Sequence, residues 1–261
     1  MKDGAHAGTG TGTAERVMTL IAHLADADGP VAVRHVAEAL GLAPSTTHRL
    51  LNLLVEGGFA AHDARTASYA VGPECLRVAH RIAARTSPAR VAQDVIDALA
   101  ERYDETVLFA MLLHPADRIA FMARADGQKR LLYRVEMNAP LSLVWGASGR
   151  AALAYLPEAE VAAVLAREGA SPATGEAPPD LATLSAALAR IREAGFCVTH
   201  GQKLPDALGI AAPVFGPDRV IGTLCMTMPR DRAPARPCAE LGAEVAQAAA
   251  ELTARLGGRA P

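Results

Sequence analysis

"GLAPSTTHRLLNLLVEGGF", Gly41 to Phe59, sets a proline-started, leucine-rich segment between a short loop and a pair of glycines. Wound as an α-helix at about 100° per residue, it gathers Thr47, Leu50, Leu51 and Leu54 on one side. Ser45, His48, Arg49 and Asn52 fall opposite. Pro44 suits the first helical turn, where its missing N–H would have been unpaired, and Gly57 and Gly58 close the segment. The outer face carries no carboxylate. Each of its four side chains can donate a hydrogen bond, which suits phosphate oxygens and base edges. A plain surface helix with a solvated back shows the same division, so the neighbouring segments decide between the two readings.

Upstream, a helical pattern starts at Glu15, with Val17, Leu20, Ile21 and Leu24 at three- and four-residue steps, and stops at Gly29-Pro30. A second short helix, Val33 to Leu40, turns Val36, Ala37 and Leu40 inward and ends at Gly41, a residue free to adopt a left-handed backbone. Downstream the period falls to two: "FAAHDARTASYAVG" has Phe59 and Ala61 before a polar tip and Tyr69 and Val71 after it, the pattern of a β-hairpin. Helix, helix, glycine turn, helix and hairpin is the layout of a winged helix-turn-helix, whose third helix enters the major groove of DNA. The candidate DNA contacts are therefore Ser45, Thr46, His48, Arg49 and Asn52, with Arg65 at the hairpin tip on a phosphate. A solvated loop arginine is the other reading of Arg65. From Glu15 to Gly72 four arginines face six carboxylates, a low basic content for a DNA-binding domain. That balance predicts modest non-specific affinity.

The first thirteen residues are mostly Gly, Thr and Ala, too polar and small to offset the entropy of ordering, and are expected to form a disordered tail. "ECLRVAHRIAARTS", Glu74 to Ser87, has Leu76, Ala79, Ile82 and Ala83 on one side and Arg77, Arg81 and Arg85 on another. It reads as a linker helix whose arginines face DNA, a partner subunit or solvent. Beyond Pro88 the pattern predicts a helix at Ala89 to Tyr103 and strands at "TVLFAMLLH", "IAFMARA" and "RLLYRVE". Helices follow at Ala151 to Tyr155 and Glu158 to Arg167, then the loop "GASPATGEAPPD" and another helix to about Ala194, then strands "GFCVTH", "GIAAPVF" and "VIGTLCMTM", and a closing helix from Cys238 to Leu256. Antiparallel strands with helices set beside them make the chain α+β. The expected division is a tail (1–13), a winged helix-turn-helix domain (14–72), a linker helix (73–88) and a larger sheet domain (89–261).

The 261 residues carry a formal charge of −2, which excludes a scaffold that is basic throughout and requires any DNA-binding charge to be local. No apolar run reaches the ~18 residues of a membrane helix, and "MKDGAHAGTGTGT" lacks the layout of a signal peptide, so a cytoplasmic location is expected. Cys75, Cys197, Cys225 and Cys238 form no C-x-x-C pair, which predicts free thiols and neither a metal site nor a cofactor. Enzyme motifs are missing as well: Ser148-Gly149 is no G-x-S-x-G elbow, the histidines make no H-E-x-x-H, and "GTGTG" follows no strand.

Three ordered stretches resemble the IclR family of bacterial one-component transcription regulators, from about residue 14 to 256. "APSTTHRLLNLLVEGGF" looks like the family's recognition helix and turn into the wing, and "APLSLVWGASGRAALAYLP" is similar to its Pro-Leu, small-residue, Gly-Lys/Arg helix start. "GFCVTHGQKLPDALGIAAPVFGPDRVIGTLCMTMP" follows its C-terminal signature. The resemblance implies a winged-helix domain, a linker helix and a GAF-like effector domain, working as a homodimer or dimer of dimers on double-stranded operator DNA under control of a small organic acid. Carried over by position, the effector candidates are Ala147, Ser148, Thr199, Gly209, Cys225 and Thr227. Alternation supports part of this, since Ile221, Thr223, Cys225 and Thr227 share one face of a strand and Leu224, Met226 and Met228 the other. A small core residue is the alternative for Cys225. The chain has Thr199 and Gln202 where the signature prefers acids, and Gly209 where it prefers Cys, Ser or Ala. Few charged groups and added space at Gly209 predict an apolar, aromatic acid rather than a small dicarboxylate. A thiol-based redox sensor using Cys197 and Cys225 is the alternative regulator, although no neighbouring basic residue is found in sequence to lower a thiol pKa.

Overall fold

The structure is a computed structural model that describes residues 12–113, 117–128, 135–232 and 237–261. The chain divides after Thr86 into two compact units.

In the N-terminal unit, α1 (Thr13–Asp26), α2 (Val33–Ala39) and α3 (Pro44–Glu56) precede a hairpin of β2 (Ala60–Asp63) and β3 (Ser68–Val71). The helices form where apolar spacing predicts them. Leu20, Leu24, Val36, Leu50, Leu51 and Leu54 meet Ala60 and Tyr69 in one core. Thr47, the polar member of the inward face, donates its hydroxyl to the carbonyl of Ala43, so its burial leaves no open hydrogen bond. Gly41 (φ 62°) and Gly58 (φ 73°) take the left-handed backbone that the turns before and after α3 require. A two-residue strand, β1 (Val31–Ala32), was not legible in the periodicity; it pairs with Ser68 and Tyr69 and makes β3 the middle of three strands. In the hairpin Ala60 is buried and Ala61 exposed, so Ala60 is the residue of β2 that joins the core. α4 (Pro73–Thr86) follows the hairpin.

The C-terminal unit holds a five-stranded antiparallel sheet in the order β5-β4-β8-β7-β6. Its strands are β4 (Thr106–Leu112), β5 (Ile119–Ala125), β6 (Cys197–His200), β7 (Ala207–Phe215) and β8 (Val220–Pro229). Two layers of helix cover it. α5 (Pro88–Tyr103) and α9 (Cys238–Arg255) bury Ile96, Leu241 and Val245 against Val107, Phe109, Ile210, Leu224 and Met226. On the other face α6 (Ala147–Leu153), α7 (Glu158–Ala166) and α8 (Leu181–Ala194) pack with Leu108, Ala110, Phe121, Ala211 and Cys225. α6 starts four residues before the expected Ala151.

Two β-bulges change which residues face which layer. In β5, Phe109 pairs with Ala123 and Ala110 with Phe121, so Met122 is an extra residue. Ala123 and Ala125 thus face α5 and α9, while Ile119 and Phe121 join the opposite core. In β8, Val214 pairs with Gly222 and Phe215 with Val220, leaving Ile221 extra. Ile221 packs toward the α5–α9 core, not on the face of Cys225 that strict alternation assigned it.

The strand expected at "RLLYRVE" lies mostly outside the described residues; within them, Val135 and Glu136 are not strand. Of the expected tail, residues 1–11 are outside the description and Thr13 already belongs to α1. Among the described residues no helix is long and apolar enough to cross a membrane.

Gly222 shows how tightly the sheet is drawn, because a Cβ there would run into the carbonyl of Ala110 on the neighbouring strand. Gly222→Ala is expected to pry β4 from β8 and cost on the order of 1–3 kcal/mol, read as a lowered urea midpoint.

Candidate nucleic-acid interface and ligand cavity

The polar face of α3 is the first candidate site. Ser45, His48, Arg49 and Asn52 are exposed, and Thr46 is half-buried. Asn52 is held between two rings: its Nδ2 lies 3.4 Å from His48 Nδ1, one turn back, and its Oδ1 accepts from Tyr69 Oη at 3.3 Å. Tyr69 is itself fixed by burial and by its stack with His62, centroids 4.6 Å apart. A chain of contacts thus runs from the hairpin to the helix and limits the rotamers of Asn52 and His48. Arg65, at the hairpin tip, is 90% exposed and 3.7 Å from Asp63, an open pair that a phosphate can replace with little loss. The structure therefore groups the five α3 residues on one unit with Arg65, all but Thr46 exposed.

The second candidate is a cavity of about 270 Å³ in the C-terminal unit, between the sheet and the loop before α6. Its wall includes Ala147, Ser148, Thr199, Gly209, Cys225 and Thr227, all six of the positions carried over from the sequence resemblance. Phe121, Leu141, Trp145 and Leu204 supply the apolar part. The loop before α6 is closely pinned. Ser142 Oγ accepts the amides of Val144 and Trp145 and donates to Glu168, Trp145 Nε1 donates to the carbonyl of Gly169, and Arg150 Nε donates to that of Val144. Gly149 lets the loop close over the helix, because a Cβ there would collide with the backbone of Ser142 and Leu143. The Gly149-Arg150 pair is thus the clamp that shapes one wall.

Several expectations change here. The Cβ that Gly209 lacks would meet Ala147 Cβ at 3.3 Å and Thr199 Oγ1 at 3.4 Å, so on the cavity wall the small residue also serves the approach of α6 to β7. Charge is also less scarce than expected, because Lys203 and Glu136 line the space. Lys203 was missed because it sits in the β6–β7 loop, where neither periodicity nor a family motif marks it. Its ammonium lies 5.6 Å from the centre of the Phe121 ring, and burial draws it down to about 8 from the ordinary lysine range. Gln202 Oε1 is buried without a hydrogen-bond partner, which leaves capacity for a ligand to satisfy, and Ser148 lies beside the Cys225 thiol.

Neither thiol is set up for redox chemistry. Arg150 stands near Cys197 and Lys203 near Cys225, neighbours the sequence did not show, yet desolvation outweighs both, pushing Cys197 up to about 12 and Cys225 upward as well. Cys197 and Cys225 both pair with Ala211, from opposite sides, so their strands are roughly 10 Å apart. A disulfide needs Cα atoms within about 7 Å. All four cysteines are free. Among the described residues no group of His, Cys, Asp and Glu is arranged to hold a metal ion.

Comparisons with known proteins bear on both sites. The IclR helix-turn-helix domain matches residues 13–64, and the bacterial transcriptional regulator IclR C-terminal domain matches residues 80–254. The chain is 27% identical to the transcriptional repressor IclR of Escherichia coli over 248 residues, covering 93% of this chain and 89% of that one. The crystal structure of an IclR-type regulator from Silicibacter superposes with a TM-score of 0.84 at 27% identity, over 96% of this chain and 98% of the other. An IclR homologue from Microbacterium hydrocarbonoxydans, complexed with 4-hydroxybenzoate, shares the fold with a TM-score of 0.70 at 21% identity, over 94% and 99% of the two chains. These relatives are regulators of transcription and not enzymes, and with both domain matches together spanning most of its length the chain belongs to the IclR family of bacterial transcriptional regulators.

Proposed function

We propose that this DNA-binding regulator works in the cytoplasm as a homodimer or dimer of dimers on a two-fold operator, and that a small aromatic acid in the C-terminal cavity controls its affinity for DNA. In this reading residues 14–72 bind DNA, 73–88 link, and 89–261 sense the effector. The observation that carries it is the open, carboxylate-free face of α3, Ser45 to Asn52, braced by Tyr69 of the hairpin. Its donors suit the major groove, while Arg65 suits the backbone alongside.

Dimerisation is supported by α4. Leu76 and Ile82 are 67% and 66% exposed on the same side as Ala79, an apolar stripe that one subunit leaves in water and a second copy covers. A dimer doubles the few arginines available to DNA. The aromatic acid is supported by the size of the cavity, its Phe121 and Trp145 walls, and the 4-hydroxybenzoate bound by the Microbacterium homologue. Such an effector acts by binding one arrangement of the dimer more tightly than the other.

Footprinting of the DNA flanking the gene gives the operator. On it, His48→Ala or Arg49→Ala is expected to weaken binding by about 1–3 kcal/mol with benzoate binding and thermal unfolding unchanged; unaltered footprints in both variants would remove α3 from the interface. Calorimetry with benzoate, 4-hydroxybenzoate, pyruvate and glyoxylate should show the aromatic acids binding more tightly. Binding confined to pyruvate and glyoxylate overturns the aromatic assignment. The Cys197→Ser, Cys225→Ser double variant is expected to lose operator control in neither reducing nor oxidising buffer, and a switch that disappears only in oxidising buffer would restore the redox reading.

A further inference from the structure

Lys203 is the only lysine or arginine among the described residues of the cavity wall. Lys203 leaves the β6–β7 loop just after Gly201 (φ 63°), and its stem runs along Gly146, where an added Cβ would touch Lys203 Cβ at 3.4 Å. The ammonium ends beside the face of Phe121, which the Met122 bulge turns into the cavity. Among the described residues Lys203 forms no ion pair. The other titratable groups on the cavity wall are the exposed carboxylate of Glu136 and the Cys225 thiol, which burial keeps protonated. A cation so placed has lost much of its water and gained in return a ring face and the field of an exposed carboxylate with which it forms no ion pair.

We propose that Lys203 selects the charge of the effector: its ammonium pairs with the single carboxylate of an acid whose apolar body lies against Phe121, Leu141 and Trp145. The proposal rests on the cavity being the effector site. Chemistry then orders the ligands. A monocarboxylate supplies the missing counter-ion, and its neutral amide leaves the ammonium unpaired. A dicarboxylate brings a second anion for which the described wall offers no further cation and an opposing Glu136. Gln202 Oε1, buried without a partner on the cavity wall, is placed to bond a polar substituent on the ligand.

A protonic consequence follows. In the free protein burial holds Lys203 near 8, and a bound carboxylate, favouring the charged form, raises it. Below pH 8 the lysine is already charged and binding is insensitive to pH. Above it, each bound acid draws a proton from buffer and affinity falls, by at most about tenfold per pH unit.

The test is calorimetry on the full-length protein with benzoate and benzamide, for wild type, Lys203→Met and Lys203→Arg at pH 7. The expected result is a benzoate preference of roughly 10- to 100-fold in wild type. It should be kept in Lys203→Arg and erased in Lys203→Met, whose retained affinity for benzamide reports an intact cavity. A second arm needs no variant: wild type at pH 9, in two buffers of different ionisation enthalpy, should take up protons on binding benzoate, an acid fully ionised throughout. Benzoate bound equally by wild type and Lys203→Met, or without proton uptake at pH 9, overturns the role of Lys203 and leaves the effector site standing. Failure of wild type to bind either compound overturns both.

Discussion

The central strand of the C-terminal sheet sets the terms for everything around it. β8 is bonded on both edges, to β4 and β7, and covered on both faces, so each of its side chains must find a partner among helices or strands. On one face it does so with Leu224, Met226 and Met228, large enough to fill the space under α5 and α9. On the other, Cys225 and Thr227 are small and mildly polar, and the layer formed by α6 and its loop stands too far off to be filled by them. A cavity is the geometric result of pairing small residues on a buried strand with a cover that is held in place from elsewhere. The loop's own hydrogen bonds, with Arg150 and Ser142 at their centre, keep that cover from collapsing inward.

Much of the fold was legible because its signals are local. The two faces of α3, the glycines at 41 and 58, and most helix and strand limits lie within a few residues of where periodicity puts them. What was not legible depends on pairing across the chain. β1 exists only because β3 has a free edge, and no run of two residues announces it. The bulges at Met122 and Ile221 have ordinary strand sequences, yet they decide which layer Phe121 and Ile221 enter. The cavity wall divides in the same way. Positions on strands and at the start of α6 could be named from the family pattern, whereas Lys203, in a loop, becomes visible only once the loop is folded over Phe121. The thiols make the converse point: sequence showed no base beside them, structure shows two, and burial still governs.

The two units use opposite strategies for polar groups. The N-terminal unit exposes them and limits their freedom through neighbours, as Tyr69 does for Asn52, so that little side-chain entropy remains to be lost on a binding surface. The C-terminal unit buries Gln202 Oε1 with its bonds left open, which lowers its stability. A molecule that completes those bonds stabilises the filled state, and this difference is the free energy available for any change of shape.

The bulge at Met122 also bears on how such a cavity changes over evolutionary time. Substitution alters one wall residue at a time, but straightening the bulge with Met122 kept in the ladder would exchange the faces of everything on one side of it, moving Ile119 and Phe121 out of the cavity and their neighbours in. Deleting Met122 would instead leave every pairing and face as it is. In this fold the pairing of an edge strand, and not only its residues, is where new specificities can arise.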